Sequence, residues 1–179
     1  IVSKVDPPAI LNVVQYLQHQ GFRITYLPVD GQGVVQVDDL EEIITSKTIL
    51  VSVMHANNEI GSLQPIDELA EIAHTAGAVF HTDAAQSVGK IPVDVSDLDC
   101  DLLSVAGHKL YAPKGVGSIY IKKGVDLEPL IHGANHENGM RAGTENVAQI
   151  VGLRMAAEIA SQKLESEILR QQNLRDRLQ

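Results

Sequence analysis

The sequence predicts an α/β protein with a mainly parallel sheet flanked by helices. Apolar, strand-like runs alternate along the chain with segments whose apolar residues keep helical spacing. One run, 48–54, is almost wholly apolar, which is typical of a strand buried on both faces of a parallel sheet. Hydrophobic residues make up 44% of the 179 residues and charged residues 21%, so we expect a globular core.

Prolines, glycines and one acid mark where the predicted helices begin and end. Pro8 suits a first helical turn, whereas Gly21 and Gly77 suit the position just beyond a helix end. Asp38 is expected to cap a short helix. The predicted elements are, in order, a helix from Pro7 to Leu17, a strand at 23–29, a helix over Leu40, Ile43 and Ile44, a strand at 48–54, a helix from Pro65 to Ala76, strands at 78–81, 102–105 and 117–121, and a helical stretch from Glu145 onward. Residues 132–146 are a polar loop of the length that functional loops have.

Composition and charge exclude several classes of partner. The net charge of −9 argues against a nucleic acid or an anionic membrane surface. No apolar run approaches the roughly 20 residues of a membrane span, so we expect no membrane partner. The single cysteine, Cys100, excludes an internal disulfide and fits an intracellular, reducing compartment, with cytoplasm, mitochondrion and plastid not distinguished. Nearby acids are expected to raise the pKa of the Cys100 thiol, which we interpret as structural or incidental.

An acid and a lysine each follow a predicted strand. Asp83 follows the strand at 78–81, and Lys109 follows the strand at 102–105. Open α/β sheets bind ligands beyond the carboxyl ends of their strands, so the pair is either a structural ion pair or the two ends of a bound cofactor. A partly desolvated amine can attack a carbonyl, and a carboxylate can keep a pyridine nitrogen protonated.

Other polar residues are predicted at the same end of the sheet. Gln86 is placed to donate to a ring oxygen and His108 to contact a phosphate, while His55 and Asn58 follow another strand. The competing use of the histidines is a metal site, with the candidates His55, His81, His108, His132, His136 and the adjacent Glu137. None has the helical i, i+4 pairing of a zinc motif, so we expect no metal.

Four motifs in order resemble those of the cysteine desulfurase and selenocysteine lyase group of the class V aminotransferase family. They are His55-Ala56-Asn57-Asn58-Glu59-Ile60-Gly61, His81-Thr82-Asp83-Ala84-Ala85-Gln86-Ser87-Val88-Gly89-Lys90, Gly107-His108-Lys109-Leu110-Tyr111-Ala112-Pro113-Lys114-Gly115 and Arg141-Ala142-Gly143-Thr144-Glu145-Asn146. The resemblance covers nearly the whole chain. It implies the aspartate-aminotransferase fold (fold type I), pyridoxal 5'-phosphate as cofactor and a homodimer. It also implies removal of sulfur or selenium from cysteine or selenocysteine to leave alanine, with a sulfur-acceptor or iron–sulfur scaffold protein as a further partner.

The same resemblance implies a role for each site residue. Lys109 is the Schiff-base lysine, Asp83 the partner of the pyridine nitrogen, and Gln86 the contact to the ring hydroxyl. His108 binds the phosphate and Asn58 lies near the cofactor. Thr144 reaches the phosphate of the neighbouring subunit's cofactor, and Arg141 belongs to the same loop motif.

The chain also departs from the family pattern. Asp6-Pro7 stands where the family usually has Glu-His, so a stacking imidazole is missing. Ala106 replaces a phosphate-binding serine, and Gly133-Ala134-Asn135 replaces a glycine-rich run. Both ends of the chain are expected to be truncations. We therefore expect the family's N-terminal phosphate-binding turn and its C-terminal, sulfur-accepting cysteine to be missing.

The sequence thus predicts a cysteine desulfurase-like or selenocysteine lyase-like protein. Residues 1–161 would form the large, cofactor-binding domain, and 162–179 a charged helix leading toward a small domain. We expect the chain to keep the Schiff-base lysine but to have little complete desulfurase activity, which leaves open whether the chain is an enzyme by itself. The alternatives are a class V aminotransferase or lyase for another amino acid, and a non-catalytic assembly partner, which Pro7 and Ala106 favour modestly.

Overall fold

The structure is a computed structural model in which residues 1–178 are described. Its elements are, in chain order, β1 (Val2–Ser3), α1 (Pro8–His19), β2 (Tyr26–Leu27), α2 (Val37–Ile43), β3 (Leu50–Ser52), α3 (Ile66–Thr75), β4 (Val79–Asp83), β5 (Leu102–Ala106), the 3₁₀ segment Gly107–Leu110, β6 (Gly117–Ile121), the 3₁₀ segment Glu137–Gly139 and α4 (Val147–Asp176).

One six-stranded sheet organises the molecule, in the order β2-β1-β3-β4-β5-β6. The strands from β2 to β5 are parallel, and β6 pairs antiparallel with β5. This topology confirms the predicted α/β class with a mainly parallel sheet. The strand order reverses between β1 and β3, which places a ligand-binding crevice at the carboxyl ends of the strands.

The core lies between the sheet and the helices α2 and α3. On α3, the buried residues are Ile66, Leu69, Ala70 and Ala73, and Ile72 is half-buried against them. They pack with Phe80 and Val51 of the sheet and with Leu40 of α2, all of which are fully buried. Burying a large aliphatic or aromatic side chain stabilises a fold by about 1.5–3 kcal/mol, so these contacts hold the central strands in place.

Two predicted strands are shorter in the structure, and one predicted helix cap is wrong. The strand at 23–29 shrinks to β2, because Pro28 has no N–H to donate and β2 lies at the edge of the sheet. The strand predicted at 48–54 is limited to β3, and the side chain of its first residue, Leu50, is exposed. Asp38 is not the N-cap but lies in the first turn of α2. Its negative charge there interacts favourably with the helix dipole.

The helix α4 runs for 30 residues without one buried side chain. It approaches the rest of the chain closely at Gly152, where a Cβ would lie 2.8 Å from the ring of Pro113. The helix continues unbroken through position 162, so the domain boundary between residues 161 and 162 stays a prediction. Gln179, at the end of the predicted charged helix, lies outside the described residues. None of the described helices combines the length and apolarity needed to cross a membrane.

Candidate functional site

Asp83 lies at the carboxyl end of β4, paired in register with Ser104 of β5. Its Oδ1 atom accepts the backbone N–H of Ala85 at 2.9 Å, which orients the carboxylate. Over residues 1–178, no protein donor binds its Oδ2 atom. The half-buried carboxylate therefore keeps one oxygen to offer to a ligand beyond the strand end.

His81, two residues before Asp83, joins three neighbouring strands through side-chain hydrogen bonds. The His81 imidazole contacts the Ser52 hydroxyl through Nδ1 at 2.8 Å and the Ser104 hydroxyl through Nε2 at 2.9 Å. Burial lowers the pKa of His81, and the nearby Asp83 charge only opposes this shift, so the imidazole is neutral at pH 7. Both ring nitrogens are used, which leaves His81 no lone pair for a metal ion. No cluster of three or more metal-ligating side chains occurs in the described part of the chain.

Lys109 and His108 lie in the 3₁₀ segment directly after β5. This turn requires glycine at position 107, because a Cβ there would lie 2.6 Å from the Val116 carbonyl oxygen. The segment ends at Tyr111, whose positive φ of 68° turns the chain away. Lys109 is half-buried and His108 is exposed, so an amine and an imidazole are presented beside the end of β4.

The loop after β3 is tied to the turn after β4. The backbone N–H of His55 donates to the Asp83 carbonyl at 2.9 Å, and its Nδ1 lies 3.0 Å from the Ser87 hydroxyl. Gln86 is half-buried in that turn, and Asn58 is exposed in the loop. The structure therefore brings five of the six predicted cofactor residues to the carboxyl ends of β3, β4 and β5.

Thr144 is the predicted residue that does not join them. It is exposed in the loop before α4, and no hydrogen bond within residues 1–178 links its side chain to the site. The same loop is closed by Arg141 and Glu137, 3.8 Å apart, and by the Gly143 N–H, which donates to His136 at 3.2 Å. The role of Thr144 in a neighbouring subunit stays a prediction.

Asn57 is a residue whose part in the loop the sequence did not indicate. Its Oδ1 accepts the N–H groups of Glu59 at 2.8 Å and Ile60 at 3.2 Å, and its Nδ2 donates to the Val5 carbonyl at 3.1 Å. Asn57 thus shapes the turn that carries Asn58 and ties it to the segment after β1. Asparagine commonly orders a turn in this way, and that preference was the available signal.

Asp6 is a second acid at this end of the sheet. It is only 4% exposed, and its carboxylate accepts the Met54 N–H at 2.7 Å together with the N–H and hydroxyl of Ser3 at 2.9 and 3.0 Å. Burial raises the pKa of Asp6 to about 6, the hydrogen bonds oppose the rise, and the Asp83 charge adds to it. The carboxyl therefore clamps the ends of β1 and β3 together. No local pattern in the sequence indicates this role, because the partner Met54 is 48 positions away.

Two further features lie outside this cluster. A cleft of about 470 Å³ between α2 and α3 is lined by Glu41, Glu68 and Glu71 and contains none of the candidate residues. Cys100 is fully buried, and burial, more than the charges of the nearby acids, raises the pKa of its thiol to about 11. The expected direction was correct, but its main cause is desolvation rather than neighbouring carboxylates.

The sheet, with an acid and a lysine at the carboxyl ends of β4 and β5, defines the large-domain fold of fold type I aminotransferases. Residues 1–178 match the profile of the Aminotransferase class-V family, and the chain belongs to that family. Members of this family generally depend on pyridoxal phosphate.

Named relatives and solved structures show the same similarity. The chain is 53% identical over 176 residues to the cysteine desulfurase IscS of Dictyoglomus turgidum (strain DSM 6724 / Z-1310), covering 98% of this chain and 45% of the relative. A solved NifS-like protein superposes with a TM-score of 0.95 at 41% identity, covering 99% of this chain and 49% of that one. SspA in complex with cysteine gives a TM-score of 0.84 at 41% identity over 88% of this chain and 46% of its own. The chain thus spans about half the length of the relatives it matches.

Proposed function

We propose that the protein is a cysteine desulfurase that uses pyridoxal phosphate to remove sulfur from cysteine and leave alanine. The observation that carries the proposal is the convergence of Asp83, Gln86, His108 and Lys109 at the ends of the paired strands β4 and β5. The names of the matched relatives favour this reaction over other class V reactions, and favour cysteine over selenocysteine.

The chemistry of these side chains fits the cofactor. The Oδ2 oxygen of Asp83 suits a protonated ring nitrogen, the Gln86 amide suits a ring oxygen, and the Lys109 amine suits an aldehyde. His108 supplies a donor for phosphate, and Asn58 lies in the loop on the β3 side. Thr144, from a second copy of the chain in a homodimer, would add a hydroxyl donor to the same phosphate.

Bound pyridoxal phosphate supplies an aldehyde that takes an amine and a ring that accepts electrons from the bond being broken. The part of Asp83 is to keep a negative charge at the ring nitrogen, which holds the proton there. Lys109 would hold the cofactor through its Nζ, and the same amine would move the α-proton of the substrate.

The sulfur leaves to an acceptor other than Cys100. A nucleophilic cysteine has to be accessible and ionised, whereas Cys100 is fully buried and burial raises the pKa of its thiol to about 11. A second thiol, in the whole protein or in a sulfur-accepting or iron–sulfur scaffold partner, would take the sulfur.

The cofactor proposal is tested by absorbance spectroscopy of the purified chain. Adding pyridoxal phosphate should produce a visible band that Lys109→Ala abolishes and Lys114→Ala keeps, because Lys114 is an exposed lysine five positions further on. Absence of the band in the native chain, or its survival in Lys109→Ala, would overturn the assignment of Lys109.

The substrate proposal needs a second measurement on the loaded protein. Cysteine should change the visible band at lower concentration than serine, alanine or aspartate does. Equal responses to all four amino acids would count against a desulfurase and in favour of another class V reaction. Alanine and sulfide release with added thiol acceptor measures the complete reaction.

A further inference from the structure

Lys90 lies at the edge of the candidate site, in the turn that carries Gln86. Its ammonium group lies 3.4 Å from the Gln86 Oε1 atom, a long hydrogen bond in which lysine is the donor. Lys90 belongs neither to the core nor to the residues assigned above.

Lys90 belongs to a turn whose backbone is hydrogen-bonded and packed against α4, not to a free surface loop. Backbone N–H groups of Lys90 and Ile91 donate to the Ser87 carbonyl at 2.9 and 3.0 Å, which closes the turn. Gly89 lies in the same turn and has a φ of +77°. A Cβ at this position would lie 3.2 Å from the Cβ of Ala160 on α4. The turn is therefore packed against α4, and hydrogen bonds hold the backbone at Lys90 in place.

The surroundings of Lys90 separate it from an ordinary surface ion pair. In the described chain no carboxylate lies within salt-bridge distance of its ammonium group. The cleft of about 310 Å³ beside it contains Glu167, but that carboxylate pairs with Arg170 at 2.6 Å. Burial lowers the pKa of Lys90, and the charge of Lys109 lowers it further.

A lysine contact decides how a glutamine side chain is oriented. Lysine has three donors and no acceptor, so it can bind only the oxygen of an amide. With Oε1 of Gln86 directed to Lys90, the NH₂ group of Gln86 is turned away and remains available as a donor. A ring oxygen in the site needs such a donor, whereas a flipped amide would present it with a second acceptor.

We propose that Lys90 is a positioning residue that fixes the Gln86 amide so that its NH₂ group donates into the cofactor site, an inference that rests on the proposed function. Lys90 acts through Gln86 and does not itself touch the cofactor.

The test is a double-mutant comparison on the full chain, with pyridoxal phosphate as the probe. Lys90→Met should weaken the binding of pyridoxal phosphate about fivefold and move the visible absorbance maximum, because the Gln86 amide is no longer held with its NH₂ group toward the cofactor. In a Gln86→Met background the same Lys90→Met change should have no effect. Lys90→Arg should restore most of the affinity, and Lys47→Met, at an exposed lysine in the turn before β3, should match the native chain. A Lys90→Met effect that is absent, or equal in both backgrounds, overturns the proposal.

A second readout does not depend on the cofactor. In ¹H–¹⁵N spectra without pyridoxal phosphate, the Gln86 side-chain NH₂ signals, assigned through Gln86→Met, should shift in Lys90→Met and not in Lys47→Met. Unshifted signals in Lys90→Met refute the Lys90–Gln86 contact. Shifted signals in a chain that shows no visible band with pyridoxal phosphate support the contact and place the failure in the proposed function instead. Urea unfolding of each variant checks that the fold is kept.

Discussion

Asp6 is expected to make the stability of the fold depend on pH in an unusual direction. Burial raises the pKa of its carboxyl from 3.8 to about 6, so the folded protein holds this proton more tightly than the unfolded chain does. Its contribution to the free energy of unfolding is therefore fully present below pH 3.8 and is lost as the pH rises through about 6. Most acidic groups, whose pKa falls on folding, act in the opposite direction.

The magnitude follows from the two pKa values. The full difference between 3.8 and about 6 corresponds to about 3 kcal/mol, at about 1.4 kcal/mol for each pKa unit. Between about pH 4.5 and about pH 8, where the protein can be studied folded, the loss is about 2 kcal/mol. Asp6→Asn removes this titration. Its own cost, a lost acceptor for Met54 or Ser3, does not change with pH.

The assay is urea unfolding of the native chain and of Asp6→Asn at a series of pH values. The native chain should lose about 2 kcal/mol relative to the variant across that interval, since the titration of groups remote from Asp6 cancels in the difference. Asp126→Asn, at an exposed position, serves as the control and should follow the native chain. A native-minus-variant difference that stays constant, or that grows with pH, would refute the reasoning.

Two substitutions and one labelling experiment test the packing of the fold. Gly107→Ala should destabilise the fold by about 1–3 kcal/mol in urea unfolding, because the new Cβ meets a backbone carbonyl oxygen 2.6 Å away. Ser104→Ala should cost about 1–3 kcal/mol, because it leaves a buried nitrogen of His81 unpaired, whereas Ser118→Ala, at an exposed serine of β6, should cost less than about 0.5 kcal/mol. Cys100 should resist iodoacetamide in the folded chain and react in urea, since burial protects its thiol and raises its pKa to about 11; equal rates in both states would contradict the burial.

The sequence predicted the central part of the fold well, since periodicity is strongest where burial is greatest. The helix α3 and the strands β4, β5 and β6 appear close to the expected positions. The helix α3 and the strands β4 and β5 contribute buried apolar residues to the core, whereas β6 contributes none that is fully buried. The short edge elements were less predictable: β1 and β2 contain two residues each, too few for a period to be visible. Their pairing depends on neighbouring strands, which a local pattern does not contain.

Sequence reasoning identified only those site residues whose type and position after a strand indicate a chemical role. Asp83 and Lys109 stand out because an acid ends one apolar strand and an amine follows another within three residues. Asp6, Asn57 and Lys90 do not stand out, since each acts through a contact made in three dimensions. The Asp6 carboxyl binds the Met54 N–H, 48 positions away, and no spacing rule along the chain indicates such a partner.

The imidazole of His81 has a consequence for how the strand tips are spaced. By binding the hydroxyls of Ser52, its register partner on β3, and of Ser104, two residues beyond its register partner on β5, it ties the central strand to both of its neighbours. A slip of either neighbour by one residue would turn its serine to the opposite face and leave a ring nitrogen unpaired, so the three strands are locked in their relative heights. The polar groups at their tips thus keep their separations in the absence of a ligand. A molecule that binds there meets a preorganised site, and little of its binding free energy is lost to ordering the protein.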